Sequence, residues 1–184
     1  MKYINKAVIL FILMVFIFGC SLFNPDKYNN DGDADGVLFI NEFLASNSTN
    51  LADEFGEFDD WVEIYNISSD ALDIGGMYVA DDLADSTPYR IPDTEPSLTT
   101  IEPGEFLILW FDRDSEQGIL HVEHRLARAG EAVVLIGKDG ETIFDSYEFG
   151  PQVTDVSAGR DPDGSDNWIT FQNPTPGISN NEEL

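Results

Sequence analysis

One cysteine, two histidines and nine basic residues are all that a chain of 184 residues offers to thiol, imidazole and cationic chemistry. A lone cysteine excludes an intramolecular disulfide and a multi-cysteine zinc cluster. With so few histidines and no G-x-S-x-G turn, a nucleophile and its base have little to draw on. A glycine-rich phosphate loop, a dinucleotide fingerprint and a repeat of solenoid or propeller length are absent as well. Paired carboxylates for glycoside hydrolysis are available among 35 acidic residues, but no pair stands out. The sequence therefore reads as non-catalytic, with a carboxylate-dependent extracytoplasmic hydrolase as an alternative. The scarcity of lysine and arginine, at a formal charge of −26, excludes a nucleic-acid partner, because such binding relies on cations that displace counterions from phosphates. Divalent cations and cationic partners suit this surface.

Long apolar runs are missing too, with one exception. Residues 7–18, AVILFILMVFIF, follow Lys2 and Lys6 and have the length of a signal-peptide core. They fall short of the roughly 20 residues of a membrane span. The next residues, Ile17-Phe18-Gly19-Cys20, resemble the lipobox of bacterial lipoproteins, in which a small residue precedes an obligatory, lipidated cysteine. That resemblance implies a signal peptide over 1–19 and a membrane partner reached through lipid on Cys20. It also implies residence in the bacterial cell envelope, outside the cytoplasm. Ser21, where an aspartate would suggest inner-membrane retention, favours the outer membrane or cell surface. Taking Lys2 and Lys6 from the 9 basic residues leaves 7 against 35 acidic ones, a formal charge of −28.

Residues 20–36 are rich in Asn, Asp and Gly and read as a tether. Within it, Asp31, Asp33, Asp35 and Gly36 match the start of a twelve-residue calcium loop whose last position falls on Glu42. If Val37 onward is a strand, Glu42 lies about 23 Å along from Asp35 and cannot close that loop. A shorter DxDxDG calcium site on Asp31, Asp33 and Asp35 survives, completed by Asp161, Asp163 or Asp166. It would make the chain a calcium-binding structural module; the alternative is a solvated linker.

From residue 37 the punctuation is that of an all-β protein. WVEIYN (61–66) alternates, EFLILWF (105–111) is nearly all apolar, and EAVVLIG (131–137) meets ETIFDSYEF across Lys138-Asp139-Gly140, a hairpin signal. Residues 118–132, the one segment with some helical character, are expected to be extended. Eight to ten short strands between Gly, Pro and Asp clusters make a β-sandwich the economical architecture over 37–180, with a short tail at 181–184.

Several motifs then occur in order: INEF from Ile40, DDWVEIYNISSDALDIGGMYVADD from Asp59, IPDT, IEPGEFLILWFD, GRDPDGSDNW and the closing PTPGISN. Together they resemble the bacterial version of the lamin tail domain, from about Val37 to Asn180. The resemblance implies an immunoglobulin-like β-sandwich and a non-catalytic module for adhesion, binding or targeting, with a protein or glycan ligand. Members are often joined to catalytic domains, and the 184 residues here are expected to hold none.

Two acidic loops are further candidates. Asp53, Glu54, Glu57, Asp59 and Asp60 precede Trp61, while Asp81, Asp82 and Asp85 lie in DDLAD. If the loops meet, Asp59, Asp60, Asp81 and Asp82 could hold a cation or a basic ligand; otherwise they are two solvated loops. The spacing of His121 and His124 puts them on opposite faces of a strand, so each is expected to be an isolated surface histidine.

Overall fold

The computed structural model describes residues 36–84 and 87–181. The expected signal peptide over 1–19, Cys20, the expected tether up to residue 35 with Asp31, Asp33 and Asp35, and Asp85 lie outside the described residues.

Strand β1 (Leu38–Leu44) and β2 (Asp60–Asn66) pair antiparallel at the centre of a six-stranded sheet. On the β2 side the sheet continues through β7 (Phe106–Phe111) to β8 (His121–Val122), which runs parallel to β7. On the β1 side it continues through β11 (Ser157–Arg160) to β12 (Trp168–Phe171). The opposing sheet holds β10 (Ile143–Phe149), β9 (Glu131–Ile136), β4 (Tyr78–Ala80) and β5 (Tyr89–Arg90) in that order. A small pair, β3 (Leu72–Asp73) with β6 (Thr100–Ile101), and one helical turn, α1 (Pro96–Thr99), complete the described chain. WVEIYN, FLILWF and EAVVLI thus became inner strands of the two sheets, and residues 118–132 contain no helix.

Period-two alternation decides what each strand buries. Val62 and Ile64 of β2 and Val133 and Leu135 of β9 face each other across the sandwich, with Phe43, Leu109 and Phe111 in the same core. Residues on the far face of the large sheet are also buried. Leu44, Trp61 and Trp110 form a second cluster there, covered by Leu51 from the loop between β1 and β2.

A bulge in β1 extends this second layer. The register slips between Ile40 and Glu42, and Ile40 and Phe43 both reach the main core. Asn41 and Glu42 are therefore left together on the outer face, since a bulge breaks the alternation. Both are fully buried, as is Glu63, which lies opposite Glu42 on β2. The closing segment, residues 172–181, covers them. Thr175 N–H donates to Glu42 at 3.1 Å, Gly177 N–H to Glu63 at 2.6 Å, and Asn41 Nδ2 to both Glu63 and Asp163 at 3.0 Å. Burial raises the Glu42 carboxyl above its usual value and pushes Glu63 up to about 8, against the opposing effect of these donors.

Ile40 keeps its partner Ile64 on β2, but the pairing with β11 covers only Glu42 and Phe43, and side chains take up the backbone of Ile40. Its N–H donates to Asp145 of β10 at 2.8 Å and its carbonyl accepts from Arg160 Nε at 2.8 Å. Arg160 and Asp145 pair with each other through Nη2 at 2.8 and 3.0 Å. The guanidinium also lies over the rings of Phe39 and Trp168, at 5.3 and 4.9 Å. Trp168 in turn stacks on Tyr147 of β10 at 3.7 Å, so the two sheets are tied at this end by one connected group.

Candidate functional site

The opposite corner of the large sheet's outer face is built differently. Beyond Leu51 the chain turns at Asp53, whose Oδ1 accepts from the N–H groups of Phe55 at 2.9 Å and Glu57 at 2.7 Å. This side-chain turn is what the Asp-Glu-Phe-Gly sequence favours, and Gly56 takes the positive φ of 82° that it needs. Two phenylalanines are left outside: Phe55 is 56% and Phe58 46% exposed. They stand among the carboxylates of Asp53, Glu54, Glu57 and Asp59, on the loop that carries most of the local charge.

Beneath the loop lies His121. Its side chain is only 1% exposed, which corrects the expectation of a surface histidine. The pairing of Trp110 with His121 in the parallel β7–β8 ladder places its ring against the indole, and Phe55 meets it edge-on from above. His121 Nδ1 is hydrogen-bonded to buried Asp112, whose other oxygen accepts from Asp114 N–H at 2.8 Å. Nε2 lies 3.4 Å from Glu54 Oε1. Burial alone pulls the imidazole down, but Asp112 and Glu54 more than offset it and its pKa is raised. Sequence spacing alone could not show this, because the partners come from residues 54 and 112. The visible signal was that His121 sits in an apolar context, GILHV, and not in a polar one.

Two groups of ligand atoms close enough to share one ion occur among the described residues: Asp53, Glu54 and His121, and Asp53, Glu57 and Asp59. Of the four aspartates expected to gather, Asp59 is in the second group. Burial and then the carboxylates of Asp112, Asp53 and Glu57 raise its pKa, while Arg125 lies 3.7 Å away. Asp60 is pushed up to about 6 by burial. Asp81 lies 3.5 Å from His124, and with Asp82, Glu131 and Glu148 it lines a cleft of about 580 Å³. The consecutive pair His124 and Arg125 thus stands between the two acidic loops, one residue toward each.

Of the carboxylates suggested to complete a DxDxDG site, Asp163 has both oxygens engaged, by Asn41, Ser179, Asn180 and Asn181. Asp166 is fully exposed beside Arg160 at 3.8 Å. Gly36, the sixth position of that pattern, has a φ of 76°.

No curated protein and no solved structure matches the chain. The family model of the Lamin Tail Domain matches residues 32–151, from just before β1 to just after β10. The fold in that span is the immunoglobulin-like sandwich typical of the family, whose members are structural and typically non-enzymatic; the chain belongs to the lamin tail domain family.

Proposed function

We propose that the chain is a lipid-anchored, extracytoplasmic binding module of the bacterial cell envelope that performs no catalysis. Its acidic end engages a Lys- and Arg-rich segment of another envelope protein. The observation that carries this reading is the pair of exposed rings, Phe55 and Phe58, set among Asp53, Glu54, Glu57 and Asp59. Large apolar side chains ringed by one sign of charge suit a partner that offers alkyl stems and cationic heads together. The lipobox-like Ile17-Phe18-Gly19-Cys20 supplies the anchor, and the Asn- and Asp-rich stretch after it the reach.

The anchor is tested by metabolic labelling with a fatty-acid analogue: the full chain is expected to take up label and Cys20→Ser to take up none. Label in Cys20→Ser, or none in the unaltered chain, would contradict it. The binding end is tested with a fluorescent Lys/Arg-rich peptide. Phe55→Ser together with Phe58→Ser leaves the charge unchanged and is expected to weaken binding at least about fivefold, as loss of two apolar anchors implies. Equal affinity would mean that net charge alone attracts the peptide.

A further inference from the structure

Beside His121 one buried carboxylate oxygen has no partner among the described residues. Nδ1 faces Asp112, so when it donates there, Nε2 presents a lone pair toward the carboxylate of Glu54. A second proton on the ring would relieve that contact, but it would serve Glu54 only. Asp53, 9% exposed, would still hold its Oδ2 buried with no hydrogen-bond partner among the described residues. Its Oδ1 is already committed to the turn, which fixes the carboxylate in place. A buried carboxylate oxygen is costly to leave unpartnered, and a cation is one group that would satisfy it.

The distances favour a metal. Ligand atoms of Asp53, Glu54 and His121 lie within 4.8 Å of one another. The 3.4 Å between Nε2 and Glu54 Oε1 is longer than a good N–H···O bond. It matches the roughly 3.3 Å separating two ligands held at about 2.0–2.1 Å around a tetrahedral zinc. Glu54, with a side chain 60% exposed, is free to close the remaining gap. A carboxylate on the far nitrogen of a ligating histidine is the usual device that fixes its tautomer and raises its basicity, and Asp112 occupies that position. Mixed imidazole and carboxylate donors suit zinc better than calcium, which takes oxygen alone.

We propose that Asp53 Oδ2, Glu54 Oε1 and His121 Nε2 form a zinc site, with Asp112 as the positioning residue behind the histidine. The site is distinct from the Asp31, Asp33 and Asp35 loop, and it shares Asp53 and Glu54 with the acidic end, leaving Glu57 and Asp59 as that end's remaining carboxylates. It would pin the loop carrying Phe55 to strand β8 and leave the fourth position open at the surface.

The test is a zinc titration of the full chain in detergent after chelator treatment, with metal counted per chain after gel filtration. One zinc per chain is expected, with a rise in melting temperature that millimolar calcium does not reproduce. Glu54→Gln, at an exposed position, is expected to weaken zinc at least about tenfold with no change in melting temperature under chelator. Asp112→Asn is expected to weaken it about 10- to 100-fold. Alanine at Asp31, Asp33 and Asp35 should leave the affinity unchanged. Failure to retain zinc, retention equal in Glu54→Gln and Asp53→Asn, or loss of it in the Asp31, Asp33 and Asp35 variant would each overturn the proposal.

Discussion

Among single residues, Arg160 does the most to hold this sandwich together. It satisfies the Ile40 carbonyl, pairs with Asp145 from the other sheet, and lies over two aromatic rings while itself buried. Replacing it with alanine would leave the half-buried Asp145 charge unpaired and is expected to cost about 3–5 kcal/mol in a urea unfolding curve. Lysine would keep the charge but lose the fork that reaches both Asp145 and Ile40, and should recover only part of that. An Arg160→Ala loss below about 1 kcal/mol would show that the aromatic stack alone closes this end. Glu63 makes a second prediction. Its folded pKa of about 8 stands above the usual 4.5, so the folded state holds the proton more tightly than the unfolded one. Stability therefore falls as pH rises from about 4.5 to 8 and levels off above, at up to about 1.4 kcal/mol per pH unit for one proton. Between pH 6 and 8 the unfolding midpoint of the wild type should drop, and Glu63→Gln should flatten that drop. An equally steep fall in Glu63→Gln would assign it to the other buried carboxylates, Glu42 and Asp60, and to general repulsion.

At the scale of elements, the sequence was most legible where alternation and turns act locally. WVEIYN, FLILWF and EAVVLI all became strands, and the hairpin expected around Asp139-Gly140 joins β9 to β10. The bulge in β1 left one local mark, the adjacent polar pair Asn41-Glu42 that breaks the alternation of INEFL, but only the pairing with β2 shows that both residues lie on one buried face. The polar set it creates explains why INEF, GRDPDGSDNW and PTPGISN occur in one chain: Asn41, Glu42, Arg160, Asp163, Thr175 and Asn180 form a single hydrogen-bonded group. Gly159 lies at its centre, where an added Cβ would come within 2.9 Å of Asn180 Nδ2 and of the Asn41 carbonyl. Gly159→Ala is expected to cost about 1–3 kcal/mol by forcing the closing segment off the sheet. Limited proteolysis should then release residues after 171 first. Protection equal to wild type would mean that the segment is held mainly from elsewhere. His121 was misjudged for a related reason: a two-residue strand parallel to β7 follows from tertiary packing, and no local signal encodes it.

For the molecule as a whole, the two ends of the large sheet's outer face are built differently. One corner is sealed by the closing segment through neutral or paired groups, while the other carries unsatisfied carboxylate oxygen, surface phenylalanine and the densest charge. Legible in composition was the acidic surface; which of the acidic loops would gather around a histidine was set by the fold. If the phenylalanine-bearing corner is the binding surface, a photoreactive benzoylphenylalanine at position 58 of the full chain, irradiated in living cells, should crosslink to a Lys- and Arg-rich segment of a protein. The same group at Ile143, 48% exposed on β10, should not. Crosslinks that appear from position 58 alone and fade as salt is raised are the expected result. The same products from both positions, or none from position 58, would contradict the assignment of this corner as the surface by which the protein acts.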